Sequence, residues 1–129
     1  MKRLFVSVPM KGRTEAEIKA SIQKMKKIAE IYEGEELELI DSYIEEEEPE
    51  NCNRGIWYLA KSIEMLSYAD VFIGIGDGYD WRGCDIENKA ALAYGIKSYT
   101  IPARYVIDNY DALLNKLRPL CCDEGPKVK

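Results

Sequence analysis

The chain has 129 residues, enough for one domain with a sizeable core and too few for two ordinary ones. Its 18 basic and 23 acidic residues leave a formal charge of −5, which disfavours binding of a nucleic-acid polymer through a broad basic face. No histidine is present, so Ser-His-Asp and Cys-His catalysis and most zinc chemistry are excluded, and any acid–base work falls to Asp, Glu, Tyr, Lys or Cys.

In chain order, Leu4-Phe5-Val6-Ser7-Val8 is a short apolar run halted by Pro9 and predicts a buried strand. Thr14-Glu15-Ala16-Glu17 is a capping box, with Ile18, Ile22, Met25, Ala29 and Tyr32 recurring behind it at helical spacing and Gly34 as the stop. Leu37-Glu38-Leu39-Ile40 predicts a second strand running into Asp41-Ser42-Tyr43. The run Glu45-Glu46-Glu47-Glu48-Pro49-Glu50 then predicts a solvated loop. A second helix is expected over about 57–67, with Leu59, Ile63 and Leu66 on one face. Residues 70–75 predict the third strand and 83–94 the third helix, closed by Gly95 at its C′ position. Residues 97–101 predict a fourth strand. Asp108 is the expected cap of a last helix holding Leu113, Leu114 and Leu117, stopped by Pro119. The domain is thus expected over 1–120, with a short polar tail over 121–129.

Strands alternating with helices predict a single α/β domain, a doubly wound parallel sheet of flavodoxin-like or Rossmann-like type with helices on both faces. Ligands of such sheets bind beyond the carboxyl ends of the strands. That rule gathers 7–13, 41–44, 76–82 and 102–105 at one mouth. No apolar stretch is long enough for a membrane span, and the N-terminus lacks a signal-peptide pattern, so a cytoplasmic protein is expected. Cys52, Cys84, Cys121 and Cys122 do not have zinc spacing and read as reduced thiols; no metal is expected.

The segment carrying chemistry is Gly83-Cys84-Asp85-Ile86-Glu87-Asn88-Lys89-Ala90-Ala91-Leu92-Ala93-Tyr94-Gly95. It follows a strand and a loop rich in Gly and Asp, which puts Glu87 in the first turn of a helix. There the dipole favours its ionised form, suited to a nucleophile or base. Gly74-Ile75-Gly76-Asp77-Gly78 is neither a dinucleotide fingerprint nor a P-loop, and reads as a ligand loop. Asp77, Asp80 and Asp85 are ordinary turn formers taken singly. Beside Glu87 they offer a second carboxylate, and paired carboxylates are what glycosidic-bond cleavage needs. Trp81 and Tyr79 are candidates to stack on a base, and Arg82 and Arg13 to pair with a phosphate or carboxylate.

Together these segments resemble the nucleoside 2-deoxyribosyltransferase superfamily, and most of all its small phage- or prophage-borne branch of unassigned function. The likeness runs through Leu4-Phe5-Val6-Ser7-Val8-Pro9-Met10, Asp41-Ser42-Tyr43, the helix 62–69 ending in Ala69-Asp70 before the third strand, and Gly83, Glu87, Ala91 and Gly95. The resemblance implies a flavodoxin-like domain that forms homodimers or larger homo-oligomers. It implies transfer of deoxyribose between bases, or hydrolysis of a nucleotide N-glycosidic bond, with no cofactor.

By position Glu87 would be the nucleophile that forms a deoxyribosyl ester. The family's catalytic aspartate falls on Ser62, its first-strand tyrosine on Phe5, the glycine before its proline on Val8, and the polar position six before the glutamate on Trp81. Either Asp80, Asp77 or Asp85 substitutes for the lost carboxylate, with Asp80 the best candidate, or the pocket binds without turnover. The expected site is therefore catalytic Glu87 and Asp80, with Ser7, Pro9, Met10, Arg13, Ser62, Gly76, Asp77, Trp81, Arg82 and Gly83 around a nucleoside or nucleotide. The alternative is an inactive nucleotide-sequestering protein. A purely structural assembly module ranks third. The contact between subunits is expected around Trp57, Tyr58 and Met65, where core packing is the competing role.

Overall fold

A short strand made of apolar residues on both faces needs cover on both sides, and the first strand sets this pattern. In the computed structural model, which describes residues 1–10, 12–42, 44–76 and 82–112, that strand is β1 (Arg3–Val6). It is followed by α1 (Glu15–Glu33), β2 (Glu38–Leu39), α2 (Arg54–Leu66), β3 (Val71–Ile75), α3 (Arg82–Ala93) and β4 (Lys97–Ile101). A turn of 3-10 helix, Ala103–Tyr105, comes next. All strand pairs are parallel and the order is β2-β1-β3-β4, the flavodoxin-like arrangement. The fold is thus α/β with helices on both faces of a parallel sheet.

Alternation along the strands divides the core. Leu4, Val6, Val71, Ile73, Ile75 and Ile101 face α1, where Ile18, Ile22, Met25 and Ala29 close over them. Phe5 and Phe72 face the other way, onto Leu66 and Ile63 of α2 and Ala90 and Ala91 of α3. Their rings lie nearly parallel with centroids 6.1 Å apart. Among the described residues no helix is long and apolar enough to cross a membrane.

The capping box is realised in both directions. The Glu17 N–H donates to the Thr14 hydroxyl at 3.1 Å, and the Thr14 N–H donates to the Glu17 carboxylate at 2.8 Å. Gly34 and Gly95 take the left-handed conformation expected after a helix, with φ of 75° and 79°. Two helix starts differ from expectation. The second begins at Arg54, three residues early, because the Asn53 side chain accepts from the Ile56 N–H at 3.0 Å and caps it. The third begins at Arg82. Residues 110–112 are helical, two residues past Asp108, whose carboxylate pairs with Lys24 on α1 at 2.9 Å. Leu113, Leu114, Leu117, Pro119 and the tail 121–129 lie outside the described residues. The acidic loop is tied to α2, with Glu46 paired to Lys61 and Glu48 to Arg54.

Candidate functional site

The chain leaves β1 toward β2 on one side and returns to β3 on the other, so the switch point of the sheet lies at the carboxyl ends of β1 and β3. Ser7 stands there, one residue beyond β1, and its N–H donates to the Ile73 carbonyl at 2.9 Å. Two residues after Phe5, it points to the same face of the sheet, the one covered by α2 and α3. Gly74 makes room beside it. A Cβ at Gly74 would stand 2.8 and 2.9 Å from two ring carbons of Phe72 and 3.6 Å from the Ser7 Cβ.

Into this corner α3 delivers Glu87. The Ser7 hydroxyl donates to the Glu87 carboxylate at 2.5 Å, and both residues are buried. From α2, Ser62 is a second hydroxyl that favours the ionised carboxylate. Burial outweighs both hydroxyls, and the Glu87 pKa is raised above the ordinary glutamate value. This corrects the expectation drawn from the helix dipole. Because α3 starts at Arg82, Glu87 lies in the second turn, and the first-turn acid is Asp85, which pairs with Lys89 at 3.0 Å. The dipole fades within the first turn, so desolvation decides. Cys84, one turn before Glu87, adds a thiol to the cluster. Burial pushes its pKa up to about 12, against a hydrogen bond with Ser7 that favours the thiolate.

Other expected site residues separate into three groups. Ser7, Ser62 and Glu87 come together as described. Gly76 lies at the end of β3, where its N–H donates to the Ile101 carbonyl at 3.0 Å and a Cβ would meet Thr100 at 3.2 Å. Arg82 and Gly83 open α3 on the exposed side, and no described atom lies within 4 Å of where a Gly83 Cβ would stand. Helix positions favour Ala over Gly by about 1 kcal/mol, so the fold itself does not ask for Gly83. Asp77, Asp80 and Trp81, like Tyr79, lie outside the described residues.

The Arg13 guanidinium donates to the Pro9 carbonyl at 3.0 Å, the Glu17 carbonyl at 3.1 Å and the Ser21 hydroxyl at 2.5 Å. These bonds clamp the turn after β1 onto α1. Pro9 is buried, and Met10 is partly exposed with its carbonyl accepting from the Arg13 N–H at 3.2 Å. Arg13, Ser21, Lys24 and Asp108 line a groove of about 520 Å³ on the α1 face, across the sheet from Glu87.

Sequence reasoning overlooked two polar groups here, the Cys84 thiol and the Ser42 hydroxyl. Only the helical offset of Cys84 from Glu87 signalled the first. Among the described residues no group of three or more His, Cys, Asp or Glu side chains is arranged to hold a metal ion. The cluster is therefore one buried carboxyl surrounded by hydroxyls and a thiol. It can exchange a proton, or, once ionised, attack an electrophilic carbon from a position fixed by two donors. Comparison with models of protein families, with curated proteins and with solved structures returned no match.

Proposed function

We propose that this chain binds a nucleoside or nucleotide and cleaves or transfers at its N-glycosidic bond, with Glu87 as the nucleophile. The observation that supports the reading best is the Glu87 carboxyl, buried at the switch point of the sheet and held by Ser7 at 2.5 Å. A structural carboxylate at such a depth normally meets a cation. The groups given to Glu87 here are hydroxyls, which orient it without neutralising it. In the step itself, one carboxylate oxygen bonds to the anomeric carbon as the bond to the base nitrogen breaks. The leaving base takes a proton, and water or a second base then opens the ester. The acid–base partner assigned to this step is Asp80, at about 5 Å separation if the reaction retains configuration. Self-association through the α2 face belongs to the same reading, and light scattering tests it.

A second reading is binding without turnover, and Ser62 favours it. The side chain that α2 presents to Glu87 is a hydroxyl and not a second carboxyl. A hydroxyl cannot serve as a general acid at neutral pH as a carboxyl can.

The test incubates wild-type protein and Glu87→Ala with a panel of nucleosides and nucleotides. Free base is followed by chromatography, and bound ligand by native mass spectrometry. Release of base that disappears in Glu87→Ala supports the enzyme. An intact nucleotide retained by wild type without release supports the binding protein, and neither result on any panel member removes both.

A further inference from the structure

Among the described residues, two buried side-chain polar atoms have no hydrogen-bond partner. The Ser42 hydroxyl is buried without a hydrogen bond, and so is the Asn88 side-chain amide nitrogen. Ser42 is only 4% exposed. A buried hydroxyl left unpaired costs free energy on the order of 1–3 kcal/mol, so native folds retain very few of them.

The position of Ser42 follows from the sheet. β1 and β2 pair Arg3 with Glu38 and Leu4 with Leu39, and the Ile40 N–H continues the ladder by donating to the Leu4 carbonyl at 2.9 Å. β2 ends at Leu39, and the same register carried past it would set Ser42 beside Ser7. Ile40 packs with Phe5 and Phe72 under α2 and α3, and Ser42, two residues on, shares that face. Neighbouring strands are about 4.8 Å apart, a spacing that one bound group can bridge between two hydroxyls in that register. The corner thus holds a carboxyl, the Ser7 and Ser62 hydroxyls and a thiol, with the unpaired Ser42 hydroxyl on the same face of the sheet.

We propose that Ser42 binds a hydroxyl of the sugar ring seated at Glu87. The chemistry selects the sugar over a phosphate. None of these buried groups is cationic, and Glu87 when ionised repels an anion. A ring hydroxyl both donates and accepts, as Ser42 does, and so satisfies it in either sense. The assignment rests on the nucleoside reading above and names the part of the ligand that this corner grips.

The experiment measures Ser42→Ala in two ways. In the free protein the substitution removes an unpaired hydroxyl, so the urea midpoint stays the same or rises. A clear fall means that the fold uses this hydroxyl, and overturns the proposal. Affinity is then measured by calorimetry for a nucleoside that wild type binds and for its 2′-deoxy and 3′-deoxy analogues. Ser42→Ala should bind the parent roughly three- to tenfold more weakly, the scale of one neutral hydrogen bond. Deleting one particular sugar hydroxyl should weaken wild type by a similar factor and leave the variant unaffected. Equal losses on every analogue, or no loss on any, overturn the role of Ser42 while leaving the nucleoside reading intact. If wild type binds no nucleoside or nucleotide at all, the reading fails and the proposal fails with it.

Discussion

Glu33 ends α1, where the helix dipole disfavours a negative charge, yet its side chain is only 1% exposed. Three groups compensate. The Tyr99 hydroxyl donates to it at 2.5 Å, Lys97 approaches to 3.0 Å and Lys2 to 3.3 Å. Tyr99 first, then Lys97, hold its pKa down at about 2, against an ordinary value of 4.5. At 1.36 kcal/mol per unit the full shift corresponds to roughly 3 kcal/mol. Both lysine heads are about half exposed and screened by solvent, so about 1–2 kcal/mol is the expected share of stability. Because the folded pKa is depressed, this stabilisation is complete above the unfolded value and disappears as pH falls from about 4.5 toward about 2. Glu33→Gln should therefore lose about 1–2 kcal/mol in urea unfolding at pH 7, and the gap to wild type should close as the pH approaches 2. A gap under about 0.3 kcal/mol at pH 7, or one that does not shrink on acidification, refutes the reasoning. Since Glu33 sits at the amino end of the sheet, away from Glu87, ligand binding should be unchanged.

Three other outcomes follow from the candidate site. Glu87 has a raised pKa, so its ionised form destabilises the fold above that value and not below the ordinary carboxylate range. Glu87→Gln should thus raise the thermal midpoint by roughly 2–5 °C at pH 8 and by nothing near pH 4; an unchanged or lower midpoint at pH 8 removes the argument. Gly74→Ala drives a methyl group against the fully buried Phe72 ring and should cost about 1–3 kcal/mol by chemical denaturation. Cys84, with its pKa near 12, should react with a maleimide at pH 7.5 at least about a hundredfold more slowly than exposed Cys52, as read by peptide mass spectrometry. Comparable rates at the two thiols would contradict its burial.

The elements legible in the sequence were those with a local cause. The Thr14 capping box, Gly34 and Gly95 act within a few residues of themselves, and β3 is a buried run of apolar residues interrupted only by Gly74. The start of α2 was missed because Arg54 and Gly55 dilute the apolar period, although the Asn53 cap was present. At the site, the Glu87 position was legible from its helix, while its protonation was not. A dipole can be read from sequence; the desolvation that overrides it depends on which residues from other elements cover the carboxyl. The surroundings of Arg13 were hidden for a similar reason, since its partners Pro9 and Ser21 are assembled only when the turn folds back on α1. The segment holding Ser42 was legible as part of the mouth, but its unpaired hydroxyl was not, because a lack of partners exists only in three dimensions.

The two ends of the sheet differ in a way that bears on function. At the amino ends polar groups are matched: Glu33 meets Tyr99, Lys97 and Lys2, and the Arg3 N–H donates to the Asp70 carboxylate at 2.8 Å. At the carboxyl ends the same strands lead to a carboxyl with no cation assigned to its pKa, the unpaired Ser42 hydroxyl, and Gly83, whose missing side chain no described neighbour fills. The same chain achieves satisfaction at one end, so its lack at the other is not a general looseness of packing. Departures from local rules that gather at one corner are what a binding site imposes on a fold. They gather where strand order reverses, the place where α/β sheets bind ligands. Both readings of the protein require this asymmetry, and only the purely structural reading does not. A ligand that stabilises wild type but not Ser42→Ala would tie the unpaired corner to binding, whether or not Glu87 then turns the ligand over.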